Sequence, residues 1–201
     1  PKVAVYCSEM SSGRPKQWLT LPAPNFAWYT SYEYWAQPHT SGSPASGLKH
    51  HKTACRTDYT RVQFEVTAEG DARLHSLDDR TFAENAQCQG GQSFAHLSGC
   101  RGDEKGMTTV VDLTGTAFAI HSKMSWMREG NSASSSGLLW EERIVSYLGT
   151  DVFRRATVQG VGGCFSFTPA CGWHVEQDCN ACTCGSPDAG KYVYLEHVSR
   201  S

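Results

Sequence analysis

This chain lacks the sustained 3.6-residue apolar periodicity that a long helix needs. Short alternating runs take its place, at Lys2–Cys7, Gln17–Leu21, Arg61–Val66, Ala72–Leu77, Thr108–Leu113, Ala117–His121 and Lys191–Leu195. Alternation at period two puts successive side chains on opposite faces of a strand. It predicts that Val62, Phe64 and Val66 face a core, and that Val3 and Val5 share one face near the start. Asp112–Thr116 and Glu69–Asp71 read as turns, with Gly115 free to take positive φ. One stretch, Leu138–Leu148, fits a short helix, with Leu138, Leu139, Ile144, Val145 and Leu148 as its apolar residues, and its second half fits a β-strand almost as well. The expected fold class is therefore all-β, mainly antiparallel strands with long loops, in one domain. Two serine-rich patches, Thr40–Gly47 and Asn131–Gly137, read as exposed loops inside that domain, because strand patterns continue on both sides.

The nine cysteines narrow the class further. They are Cys7, Cys55, Cys88, Cys100, Cys164, Cys171, Cys179, Cys182 and Cys184. Four are scattered and five crowd the segment from Cys164 to Cys184. That distribution suits a disulfide-stapled extracellular module, since a reducing compartment rarely keeps so many thiols bridged. A chain of 201 residues can bury a core unaided, so bridges would add to stability that packing already supplies. The count is odd, so one cysteine is free, holds a metal, or pairs outside the chain. Cys179, Cys182 and Cys184 with His174 could in principle ligate zinc. No second pair stands at zinc-finger spacing, and the scatter favours disulfides, so no metal and no cofactor are expected.

Composition limits the partners. The formal net charge is −2, which does not suit a nucleic-acid binder with its basic surplus, nor bulk attraction to anionic lipid. No apolar run approaches the length of a membrane-spanning helix. The opening PKVAVYC reads directly as a strand, so the expectation is a secreted protein whose leader has been removed, or part of a longer chain.

Catalytic signatures are missing from the sequence: no His-Glu-x-x-His, Gly-x-Ser-x-Gly, phosphate-binding loop or dinucleotide fingerprint is present. Cys171 stands close to His174, but an oxidised cysteine with a sequence-adjacent histidine makes a poor nucleophile–base pair. An enzyme is not expected. Three features point to binding. Trp28, Tyr29, Tyr32, Tyr34 and Trp35 form a dense aromatic run, which either packs in the core or presents rings to a glycan or protein partner. Arg101, Gly102 and Asp103 follow Cys100 as a tripeptide that an integrin can engage, or as an ordinary turn. Lys49, His50, His51 and Lys52 form a basic cluster, read as a solvated loop or as a patch for sulfated glycans or another acidic partner.

Several of these residues, taken in order, resemble a GON domain, the module that closes the longest members of the ADAM-TS family of secreted metalloproteases. The likeness begins at Val5, Tyr6 and Cys7, with Met10, Pro15, Lys16, Trp18, Leu19, Thr20 and Leu21. It continues through Asn25 and Phe26, then Cys55, Asp58 and Tyr59, then Phe94, Ala95, Gly99 and Cys100. Val111, Leu113, Gly115 and Thr116 follow, then Trp126, Glu129, Gly130 and Asn131, and Cys164–Cys184 stands where the family has its closing cysteine cluster. The resemblance implies one non-catalytic extracellular domain over residues 1–201, for adhesion or for binding a matrix protein or glycan. The family module resembled begins a strand earlier, so a cysteine upstream, or on another chain, could be the partner of the ninth. A lectin-like module built on the aromatic run is the alternative.

Overall fold

The structure is a computed structural model. It describes residues 4–36, 48–68, 70–76, 81–84, 94–100, 107–130, 135–161, 164–169 and 190–198. Of these, residues 29–36, 48–55, 81–84, 97–100, 107, 127–130, 135–136, 161 and 164–168 are described by their backbone alone. Thirteen strands appear among them, with one short 3-10 turn at Met10–Ser12. In chain order they are β1 (Tyr6–Ser8), β2 (Lys16–Ala36), β3 (Leu48–Val66), β4 (Ala72–His75), β5 (Thr81–Glu84), β6 (Leu97–Cys100) and β7 (Met107–Asp112). Then come β8 (Phe118–Ile120), β9 (Trp126–Gly130), β10 (Ser135–Val145), β11 (Asp151–Val161), β12 (Cys164–Pro169) and β13 (Tyr192–His197).

Ten of these strands form one antiparallel sheet, in the order β1-β2-β7-β11-β8-β13-β4-β3-β5, with β10 added on β11. Because β3 also pairs with β2, the path from β2 to β3 closes on itself as a barrel. Closure removes free edges from the paired stretch. A second, three-stranded sheet runs β6-β12-β9.

Alternation places the core as the sequence predicts at most positions. Val62 and Phe64 are buried, with Leu74, Val111, Leu113, Ile120, Val158 and Val193. Val66 departs from the expectation. It ends β3, paired with Ala72 at the rim of the barrel, and it is 56% exposed. Tyr59 and Phe94 meet edge to face at 5.7 Å. Trp126 donates its Nε1–H to the Ala95 carbonyl at 2.8 Å, so its indole is buried without an unpaired donor.

The stretch Leu138–Leu148 is not helical. Leu138–Val145 belongs to β10, in register with β11 from Ser135 opposite Val161 to Val145 opposite Asp151, and Ser146–Thr150 makes the hairpin turn. Pairing along the whole of β11 supplies more hydrogen bonds to this segment than one isolated amphipathic turn of helix could. The turns at Gly70 and Gly115 do form, with φ of 97° and 82°.

The β2 ladder is interrupted between Thr20 and Asn25. Pro22 and Pro24 lie in that gap, and proline cannot donate to a ladder. Where β2 resumes, the Asn25 side chain ties it to β7 on its other side. Its Nδ2 donates to the Ala23 carbonyl at 3.0 Å and to the Asp112 carbonyl at 2.8 Å, and its Oδ1 accepts from Asp112 N–H at 2.7 Å. A buried asparagine thus joins β2 to β7.

Candidate functional site

An open cavity of about 510 Å³ lies where the ends of β3, β8 and β13 meet the β10–β11 hairpin turn. Phe64, Phe118 and Leu195 line its depth. Val66, Tyr147 and Leu148 stand at its rim, and the last two are 72% and 76% exposed. Its polar lining residues are Gln17, Asp71, His121, Glu196 and His197.

Glu196 holds this end of the barrel together. Its Oε1 accepts from the Ser122 N–H at 3.0 Å and the Ser122 hydroxyl at 2.9 Å, and its Oε2 accepts from the Thr150 hydroxyl at 2.7 Å. Burial alone would raise its pKa. These donors outweigh burial and hold the carboxyl below the usual carboxylate range. His121 has its Nε2 3.6 Å from Glu196 Oε1, while its Nδ1 accepts from the Lys123 N–H at 3.1 Å. That acceptor role assigns the ring proton to Nε2, facing the carboxylate. Burial lowers the His121 pKa more than the Glu196 charge raises it. With both nitrogens engaged, His121 is placed to brace the turn after β8, and neither nitrogen is left to take a proton from a ligand. His197 differs: its ring packs edge-on against Phe118 at 5.4 Å, and neither of its buried nitrogens has a hydrogen-bond partner.

A second, shallower recess of about 470 Å³ lies on the outer face of β2 and β3. Phe26, Trp28, Arg56 and Thr108 line it. The Arg56 guanidinium stands 4.1 Å from the Phe26 ring centroid, and its Nε donates to Asp58 Oδ1 at 2.7 Å. Within the aromatic run, Trp28 is half-buried on this face, so it belongs to neither a sealed core nor a loop. Tyr29, Tyr32, Tyr34 and Trp35 continue along β2. Opposite them on β3 stand Cys55, Lys52, His50 and Lys49. The basic cluster, expected in a solvated loop, is therefore part of a strand, because register with β2 carries it into the ladder.

Cys7 is a free, exposed thiol on β1, opposite Gln17. The sequence reading placed it in a disulfide framework of nine cysteines with one left over, and among the described residues no other cysteine stands in register with it. Cys55 lies on β3 opposite Tyr29, and Cys100 on β6 lies directly opposite Cys164 on β12. Cys88, Cys171, Cys179, Cys182, Cys184 and His174 fall outside the described residues, as do Arg101, Gly102 and Asp103. Among the described residues, no three His, Cys, Asp or Glu side chains converge on a point where a metal ion could sit. No helix among them is long and apolar enough to cross a membrane.

A family model, the GON domain, matches residues 1–148. The chain belongs to the GON domain family. No curated protein and no solved structure matches it. The family match stops at the tip of the β10–β11 hairpin, yet β11 and β13 beyond it pair with β7, β8 and β4 inside it. GON domains are non-catalytic modules found in secreted proteins.

Proposed function

We propose that this GON domain is a secreted, non-catalytic module that holds a matrix or cell-surface partner. The observation that carries the reading is the cavity between β13 and the β10–β11 hairpin. Its rim is apolar and exposed at Val66, Tyr147 and Leu148, while Glu196 and His121 are committed to bracing the fold. Exposed aromatic and aliphatic side chains around a recess are typical anchors for a partner. The test is binding of the full chain to solubilised basement-membrane matrix, alongside a Tyr147→Ser, Leu148→Ser double variant. The expected result is retention of the wild type and a loss of about fivefold or more in the variant, at unchanged melting temperature. Equal retention of both proteins would remove the rim from the adhesive surface. Failure of the wild type to bind any matrix component would refute the adhesive reading.

A carbohydrate-binding role has its own support in the outer recess. Phe26 and Trp28 lie there beside Arg56 and Thr108, an aromatic floor with polar groups at its edge. Loss of all glycan binding in Trp28→Ala is the expected result, and intact glycan binding would refute it.

A further inference from the structure

We propose that the outer face of the β2–β3 hairpin binds a linear sulfated polysaccharide. The inference rests on the carbohydrate reading above and names the class of glycan.

The argument starts from which face is outside. On β2, Asn25 and Ala27 are buried while Phe26 and Trp28 are half-buried. On β3, Thr57 and Tyr59 are buried while Arg56 is exposed. Even-numbered positions therefore lie on the outer face where side chains are described, and the alternation of a strand carries that face along the hairpin. Phe94 packs on Tyr59, so the residues just before β6 lie on the odd-numbered side.

Register then sorts the chemistry. Trp28 pairs with Arg56, Thr30 with Ala54, Tyr32 with Lys52 and Tyr34 with His50. Directly opposed residues share a face of the sheet. One face thus carries a row of three aromatics beside a row of three basic residues. Trp28 to Tyr34 spans six residues, on the order of 20 Å at strand spacing, which is long enough for several sugar rings. The single carboxylate of residues 28–36 and 48–56, Glu33, falls on the other face with Ser31, His51 and Lys49.

Aromatics alone would suit a neutral glycan. A basic row in register beside them, with Asp58 next to Arg56 as the acid at its barrel end and none opposite Thr30 to Tyr34, selects a ligand that carries regular negative charge. A sulfated polysaccharide supplies both ring faces and charge. Single-stranded nucleic acid offers similar groups, but the formal net charge of −2 lacks the basic surplus such binders use.

The experiment measures binding of the full chain to heparin by calorimetry. Chemically desulfated heparin, the neutral oligosaccharide cellohexaose and single-stranded oligoadenylate serve as comparison probes. Heparin should bind with an affinity that falls as salt rises, and desulfated heparin should bind at least about tenfold more weakly, as expected when neutralised charge releases counterions. Lys52→Gln with Arg56→Gln should weaken heparin by about tenfold and flatten the salt dependence. Lys49→Gln, on the opposite face, should stay within about twofold of wild type. Since Arg56 also pairs with Asp58, Lys52→Gln alone provides a variant outside that contact.

Equal losses in Lys49→Gln and Lys52→Gln would overturn the face assignment. Cellohexaose binding as tightly as heparin, and lost in Trp28→Ala, would keep the carbohydrate reading and overturn the sulfate inference. Oligoadenylate matching heparin would assign the face to nucleic acid instead. No binding of any glycan, with matrix adhesion retained, would overturn both this inference and the carbohydrate reading it rests on.

Discussion

Removing the Glu196 carboxylate tests how the closing end of the barrel is held. This side chain is 7% exposed and accepts three hydrogen bonds, two from Ser122 and one from Thr150. It therefore joins β13 to the turn after β8 and to the β10–β11 hairpin. Glu196→Ala leaves the Ser122 N–H without its acceptor and deletes the side chain from a packed site. A bond to a charged acceptor contributes about 1.5–3 kcal/mol, and an unpaired buried donor costs about 1–3 kcal/mol. The three bonds are not independent, because the two hydroxyls can rotate to other acceptors. Thr150 already exchanges a bond with Ser146 at 2.6 Å. The expected loss is about 3–5 kcal/mol. Glu196→Gln keeps one oxygen for Ser122 and loses mainly the charge, so its expected cost is about 1–2 kcal/mol. Urea denaturation followed by tryptophan fluorescence measures both, with m-values checked to be equal so that midpoints report stability. An alanine variant within 1 kcal/mol of wild type, or a glutamine variant as damaged as alanine, would refute the claim that this carboxylate fastens the three elements.

Asn25→Ala should cost about 2–4 kcal/mol by the same assay, because both the N–H and the carbonyl of Asp112 lose their partner at a break in the ladder; a loss below 1 kcal/mol would mean that the backbone re-pairs across the gap. Gly115→Ala should cost about 1–3 kcal/mol, since φ is 82° and the new Cβ would sit 3.2 Å from Pro22 Cγ; thermal denaturation checks it. Acid should weaken the protein in two stages. The His121 pKa is lowered on folding, so its contribution is complete above about pH 6.5 and is lost as pH falls below that value; Glu196, and Glu65 on β3, which pairs with Arg73 and His75 of β4, are also lowered, contribute fully above the usual carboxylate range and lose that contribution as pH drops through their folded values. Stability measured from pH 8 to pH 3 checks this, and His121→Gln should flatten the upper stage; a stability that rises as the pH falls through 6.5 would contradict it. Peptide mapping should find Cys100 bridged to Cys164, because antiparallel partners place Cα atoms about 4.5–5.5 Å apart, within the span of a disulfide, and should find Cys7 alkylated without reduction. Bridges confined to Cys164–Cys184 would refute the Cys100 assignment.

Much of the barrel was legible because alternation is a direct print of burial on one face. Arg61–Val66 shows why, with Val62 and Phe64 buried as its period predicts. The same rule failed at Val66, since alternation tells which face a residue shares and not whether anything covers the end of that face. It failed differently at Leu138–Leu148. A short apolar cluster suits a helix turn or a strand equally, and only its pairing with the 11-residue strand β11 across the hairpin decides between them.

The site residues were hidden for a further reason. His121, Glu196 and Ser122 form no motif, because their chemistry depends on β8 and β13 lying side by side, and 74 residues separate Ser122 from Glu196. One local signal did exist. Tyr192–His197 is buried from Val193 to Glu196 on both faces, and a strand covered on both sides normally excludes charge. A glutamate in such a run must find donors, and so must mark a place where separate elements meet. The aromatic run carried the opposite lesson. Its rings were conspicuous in the sequence, yet their meaning came from what register set beside them: Arg56, with Lys52 and His50, which the sequence alone had read as a solvated loop or a patch for an acidic partner. Pairing across a hairpin turns two unremarkable segments into one surface with a definite charge, and that surface is where the chemistry of a ligand can be argued.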